Sequence, residues 1–208
     1  MKIHNVEQGS EAWHKLRLGI PTASEFSRII TPDGKPSPRA KEYAARLVAE
    51  IILGRSMDAD KSHIEAIARG KELEPFAALA YEFEMGLITQ KVGFVTNDAG
   101  TIGISPDRFV GNDGLVEIKC PYPTKHVLYS TCGFEKHYIA QVQGQLLLAE
   151  REWNDRVSYS DELPIFIDRT YRDEPFIKAL DQALKDFHEM KMEMLHKVRA
   201  AVNVEVAA

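Results

Sequence analysis

The chain has 208 residues, 44% of them hydrophobic, and a formal net charge of −5. That length and apolar content suit one domain around one core, and a net acidic chain is not one that coats nucleic acid by charge alone. No apolar run reaches transmembrane length, the opening MKIHNVEQGSEAWHKLRLG is too polar for a signal peptide, and Cys120 and Cys132 supply neither zinc nor iron–sulfur spacing, so a cytoplasmic protein with reduced thiols is expected.

Residues 1–86 read as mainly helical: Thr22 and Glu25 have capping-box spacing, and Ser37–Leu53 is periodic up to a stop at Gly54. Between Lys15 and Arg46 the bases Lys15, Arg17, Arg28, Lys35, Arg39, Lys41 and Arg46 outnumber the acids Glu25, Asp33 and Glu42. This part is the candidate nucleic-acid-facing surface, with a solvated helix face as the equal alternative. Residues 87–172 are the sheet-rich part. Here the β-prone runs LITQKVGFVT, TIGISP and LVEIKC alternate with turn chemistry at Asn97-Asp98-Ala99-Gly100 and Gly111-Asn112-Asp113-Gly114, which reads as a meander of neighbouring strands. A helix follows over about Lys136–Glu150, then the strands DRVSYS and PIFIDRTY. Residues 173–208 hold a C-terminal helix from about Glu174 and a tail. The order helices, strands, helix, strands, helix predicts a single α/β (α+β) domain with a central mixed sheet flanked by helices.

The chemistry is carried by Ser105-Pro106-Asp107, nine intervening residues, then Glu117-Ile118-Lys119. Side chains at i and i+2 of a strand share a face, so Glu117 and Lys119 project together while Ile118 points into the core. Asp107 reaches the same face if the Gly111–Gly114 turn folds one strand against the next. Two carboxylates and an ammonium then converge, the set needed to hold Mg²⁺ against a phosphodiester, with the Ile118 carbonyl as a further hard ligand. The bland alternative is a surface strand of alternating charge. The flanking Leu115, Val116 and Ile118, and the sharp end at Pro121-Tyr122-Pro123, favour the site.

At this point the residues resemble a known family. Gln8-Gly9-Ser10, Trp13-His14-Lys15-Leu16-Arg17-Leu18-Gly19, Thr22-Ala23-Ser24-Glu25, Gly70-Lys71-Glu72-Leu73-Glu74, Ser105-Pro106-Asp107, Glu117-Ile118-Lys119-Cys120-Pro121 and Ala140-Gln141-Val142-Gln143 occur in the order found in the bacteriophage lambda exonuclease, or YqaJ-type viral recombinase, family of PD-(D/E)xK nucleases. The resemblance implies a restriction-endonuclease-like core and Mg²⁺-dependent, 5′-to-3′ digestion of one strand of linear double-stranded DNA, with Mn²⁺ as a possible substitute. It further implies a ring-shaped homotrimer and a single-strand annealing protein as partner. By position, Asp107, Glu117 and the Ile118 carbonyl are implied metal ligands, Lys119 the catalytic lysine and Glu74 an acid serving a second metal or its water. Arg17, Ser24, Ser105 and Gln141 match positions that grip the 5′-phosphate. Apart from the family, capping or solvent exposure is the simpler reading of Ser24, Ser105 and Gln141.

Three positions depart from the pattern or leave alternatives. Arg108 stands where the family commonly has glycine, Pro75 is expected to start or kink a helix beside Glu74, and Trp13 is either a base-stacking platform or an amphipathic core residue. Gly103-Ile104-Ser105-Pro106-Asp107 is not a serine-hydrolase elbow. From a different class, a non-catalytic DNA-end-binding or scaffold protein is the alternative, opposed by the intact Asp, Glu and Lys. The C-terminal helix carries Phe176, Ile177, Leu180, Leu184, Phe187, Met190, Met194, Leu195 and Val198 at helical spacing. With Met192, its methionine-rich distal end is either an adaptable docking surface for the annealing protein or core and oligomer filler.

Overall fold

The computed structural model of the chain describes residues 1–57 and 65–206. In chain order its first elements are β1 (Lys2–His4), α1 (Glu11–Arg17), a 3₁₀ turn (Ala23–Arg28), α2 (Ala40–Leu53) and α3 (Glu65–Met85). Five strands follow: β2 (Thr89–Lys91), β3 (Phe94–Thr96), β4 (Gly103–Ile104), β5 (Arg108–Val110) and β6 (Gly114–Lys119). The chain then runs through α4 (Pro123–Cys132), a second 3₁₀ turn (Lys136–Tyr138), α5 (Ile139–Ala149), β7 (Trp153–Ser160), β8 (Leu163–Tyr171) and α6 (Glu174–Val206).

The main sheet has the order β2-β5-β6-β7-β8, and a smaller one the order β1-β3-β4. In the main sheet β6 and β7 are parallel, with Glu117 opposite Arg156, and the other pairs are antiparallel. A parallel pair needs a crossover, and α4 and α5 provide it. Central β6 is buried from Gly114 to Ile118, as a strand covered on both faces must be. Val116 and Ile118 pack with Ala77, Ala78 and Tyr81 of α3, whereas Leu115 joins Val142 and Leu146 of α5, Phe26 of the 3₁₀ turn and Leu180, Leu184 and Phe187 of α6. Alternate residues of one strand thus feed two different helix layers. Gly144 lets α5 lie this close to the 3₁₀ turn, since a Cβ there would come within 2.4 Å of the Phe26 ring.

The mixed sheet flanked by helices is the architecture the element order predicted, and α2 closes at Gly54 in the left-handed region as expected. Several expectations need correction. The first 86 residues are not wholly helical, because β1 pairs with β3 across a long stretch of chain; what was expected at 58–64 and in the final two residues lies outside the described residues. LITQKVGFVT is two strands in two sheets. They part at Val92-Gly93, where Gly93 passes against the backbone of Val6. Thr22 and Glu25 form no capping box: the segment is a 3₁₀ turn, and the Thr22 hydroxyl faces Arg17 and Ser24 instead. The expected stop at Pro121-Tyr122-Pro123 is also a start, with Pro123 opening α4. Pro75 neither starts nor ends a helix but lies within α3. Met190 and Met194 pack on the core and Leu195 is 4% exposed, so the apolar stripe of α6 is core at least to Leu195. Among the described residues, no helix is long and apolar enough to cross a membrane.

Candidate active site

Strand alternation sets the centre of the site. Glu117 and Lys119 emerge together on the α5 face, and Lys119 Nζ donates to Glu117 Oε1 at 2.6 Å. The β5–β6 hairpin brings in Asp107, whose Oδ2 accepts from the Ile118 N–H at 2.6 Å. In a strand the N–H and C=O of one residue leave by the same edge, so the Ile118 carbonyl is turned to the Asp107 side as well. Helix α5 closes the site from above: Gln141 Nε2 donates to Glu117 Oε1 and Gln145 Nε2 to Oε2, each at 2.6 Å. Asn154 Nδ2 donates to Gln145 Oε1 at 2.7 Å, so a three-residue relay fixes a carboxylate that is only 5% exposed.

The electrostatics follow from this crowding. Burial and then the Glu117 charge raise the Asp107 carboxyl well above its ordinary pKa, against the pull of Lys119 and the Ile118 N–H, and Glu74 adds a further push. Burial would lower Lys119, but the Glu117 and Asp107 carboxylates outweigh it and raise its pKa. The ammonium is therefore held charged. The Tyr138 ring centroid lies 5.5 Å from Lys119 Nζ.

A second group gathers around Ser105. Its Oγ accepts from Trp13 Nε1 at 3.0 Å and from an Arg17 guanidinium nitrogen at 3.4 Å. Arg17 also reaches Thr22 Oγ1 at 3.2 Å, which lies 3.4 Å from Ser24 Oγ. The guanidinium stacks over Trp13 at 4.0 Å from the ring centroid. A cleft of about 1400 Å³ is lined by Trp13, Arg17 and Ser24 of the second group and by Asp107 of the first, together with Glu74 and Lys91.

The structure thus brings together Asp107, Glu117, Ile118, Lys119 and Gln141 as one set, and Trp13, Arg17, Ser24 and Ser105 as another. Glu74, half-buried in α3, stands on the wall of the same cleft. Gln141 is a partner of Glu117 and is buried, which overturns the solvent-exposed reading of its helix face. Trp13 is half-buried on the cleft wall and is not a core residue, and Arg17 stacks on its ring. Sequence reasoning missed Thr22, Gln145 and Asn154. Gln145 had a usable signal, since it lies one turn from Gln141 on the same helix face; Asn154 had none.

No three acidic, histidine or cysteine side chains converge as a metal cluster among the described residues. Asp107, Glu117 and the Ile118 carbonyl offer only hard oxygens, and burial followed by the Glu117 charge raises Asp107. That set fits a divalent cation that keeps part of its water shell, as Mg²⁺ does, and does not fit a soft metal.

A family model described as the YqaJ-like viral recombinase domain matches residues 12–152. Among solved structures, an alkaline exonuclease (LHK-Exo) from Laribacter hongkongensis is 34% identical over 94% of this chain and 100% of its own, with a TM-score of 0.82. LHK-Exo in complex with dAMP matches at 33% identity over the same shares, with a TM-score of 0.83. A phage related exonuclease from Haemophilus somnus 129PT is 17% identical over 86% of this chain and 96% of its own, with a TM-score of 0.69, and shares the fold. No curated protein sequence matches the chain. The family model spans both groups of side chains, and the likeness to LHK-Exo covers 94% of the chain: the chain belongs to the YqaJ-like viral recombinase family.

Proposed function

We propose that the chain is a divalent-metal-dependent exonuclease that digests one strand of linear double-stranded DNA in the 5′-to-3′ direction from 5′-phosphorylated ends. The observation that carries this reading is the linkage Ser105-Pro106-Asp107. The Arg17 group and the carboxylate group share one short segment, so their anchor residues lie at most ~7 Å apart. That spacing is on the scale of one nucleotide. A terminal phosphate held by Arg17, Ser24 and Ser105 therefore sets the next phosphodiester beside Asp107 and Glu117, and the product is a mononucleotide. The dAMP complex of LHK-Exo accords with a nucleotide-sized site.

Each residue has a task that follows from its surroundings. Asp107, Glu117 and the Ile118 carbonyl are the residues that would hold Mg²⁺, or Mn²⁺ in its place, with Glu74 oriented toward water around it. The cation, when bound, polarises the scissile phosphate and acidifies water. Lys119, paired with Glu117 at 2.6 Å, offsets negative charge on the phosphate and orients the attacking water. Gln141 and Gln145 orient Glu117. Arg17 supplies a forked, charge-assisted grip on the terminal phosphate, with Trp13 beneath it as a rigid backing. The family resemblance supports a homotrimer and a single-strand annealing protein as partner, which takes the exposed strand.

The test is digestion of linear duplex bearing 5′-phosphate or 5′-hydroxyl ends in Mg²⁺. The phosphorylated substrate is expected to be degraded faster, with 5′-mononucleotides released. Arg17→Ala is expected to slow phosphorylated ends far more than hydroxyl ends. Equal slowing of both would assign Arg17 to general duplex binding, and oligonucleotide products would overturn the one-nucleotide spacing.

A further inference from the structure

The turn that joins Arg17 to Thr22 is gripped by buried polar side chains whose chemistry the exonuclease reading does not use. Gly19 is its midpoint. Its φ of +69° is left-handed, and a Cβ there would lie 2.3 Å from Ile51 of α2, so the position admits glycine alone. The Gly19 N–H donates to Glu50 Oε2 at 3.1 Å, and its carbonyl accepts from Lys191 Nζ at 2.7 Å. Glu50 is 5% and Lys191 4% exposed. One residue thus has a buried carboxylate at its N–H and a buried ammonium at its C=O. Three residues on, the Thr22 N–H donates to the hydroxyl of buried Tyr43 at 3.3 Å.

Burying an ammonium or a carboxylate carries a large desolvation penalty, and an apolar residue of similar size would serve packing at least as well. The Lys191 stem already lies in the apolar stripe of α6, and burial pulls its pKa down. The arrangement is therefore hard to explain as core stability. Its geometric effect is specific: Glu50 and Tyr43 from α2 and Lys191 from α6 fix the backbone of a turn whose ends present Arg17 and the Thr22 and Ser24 hydroxyls.

We propose that Lys191 and Glu50, with Tyr43, are positioning residues for recognition of the 5′-phosphate, clamping the Gly19 turn so that Arg17 and the Thr22–Ser24 hydroxyls hold a fixed geometry. The inference rests on the terminal-phosphate reading above. It gives the C-terminal helix, far away in sequence, a direct part in selecting the DNA end.

The experiment compares kcat and KM for linear duplex with 5′-phosphate or 5′-hydroxyl ends in wild type, Lys191→Met, Lys191→Arg and Tyr43→Phe. Lys191→Met keeps the stem and removes the donor, and the preference for phosphorylated ends is expected to fall about tenfold, in KM more than in kcat, because the phosphate contact serves ground and transition states alike. Lys191→Arg, which still reaches a carbonyl, is expected to restore most of the preference. Amide exchange over residues 18–24 is expected to quicken in the methionine variant, and its rate on hydroxyl ends to change far less. A folded Lys191→Met protein with wild-type preference overturns the inference. Should that variant fail to fold, Tyr43→Phe, which keeps the ring and removes the acceptor for the Thr22 N–H, decides by the same ratio, an unchanged preference again being the overturning result. Absence of any phosphate preference in wild type overturns the parent reading itself, so the two failures are told apart by the wild-type arm.

Discussion

At the scale of single residues, burial and the neighbouring Glu117 charge make the Asp107 carboxylate unwelcome in the metal-free protein. Asp107 has a folded-state pKa above its unfolded value of about 4. As pH rises from there through the folded pKa, the carboxylate is progressively less welcome in the folded protein than in the unfolded chain, and the full deficit holds above that point. Asp107→Asn keeps an acceptor for the Ile118 N–H and removes the repulsion from Glu117. In chelator at about pH 8 the variant is expected to melt above wild type by roughly 2 °C or more, with the gap closing toward about pH 4. Divalent metal should raise the wild-type melting temperature only, and digestion by the variant should fall ~10²-fold or more. A variant that melts lower than wild type at pH 8 would show that the Ile118 hydrogen bond outweighs the repulsion. Asp107, Glu117 and Lys119 were legible in the sequence because period-two alternation and one hairpin turn fix their convergence. Glu50 and Lys191 were not. Their partner Gly19 lies 31 and 172 positions away, and no local pattern encodes a contact made by tertiary packing.

Elements were legible where one periodicity ran long enough to dominate, as in α2, α5, β7, β8 and α6. They were misread where a proline or a short strand carried two meanings. Pro123 ends one element and opens the next, and Pro75 sits inside α3, where tertiary packing of Ala77, Ala78 and Tyr81 on the sheet overrides its local tendency to break a helix. Three-residue β1 has no pattern of its own and forms only because β3 offers it an edge. The layer most sensitive to change is α5 on the 3₁₀ turn, since both parts of the site hang from it: Gln141 and Gln145 on one side, Thr22 and Ser24 on the other. Gly144→Ala would force the Phe26 ring aside from a packed core, an overpacking penalty of about 1–3 kcal/mol. Urea unfolding should show that loss, and phosphate-end preference should decline with it. A neutral result would mean the turn slides without strain. Removing the chain after Lys191 deletes buried Leu195 and the packing of Met194, so this truncation is expected to lower stability rather than merely to detach a partner.

For the whole molecule, end recognition and ring threading make separable demands on the substrate. A site that locates the scissile bond by a terminal phosphate has nothing to grip on a covalently closed circle, whatever the oligomeric state, so closed circles should survive while linear duplex is consumed. A nicked circle with a 5′-phosphate at the nick presents the phosphate but no free duplex end. If the active assembly is the homotrimeric ring implied by the family resemblance, such a circle cannot be threaded and should be digested far more slowly than the linear form. If a single subunit suffices, nicked and linear substrates should be consumed at similar rates. Solution mass gives the independent check: three times the 23.4 kDa chain mass is expected, persisting at the concentrations used for digestion. The net charge of −5 sharpens the contrast. An acidic monomer with a few cations along its cleft has little non-specific hold on duplex, and that hold weakens steeply with salt. A ring closed around the strand does not depend on it. Raising salt after digestion has begun should therefore leave engaged molecules digesting while new starts are suppressed, and a trimer whose engaged molecules stop at once on salt addition would rule out threading.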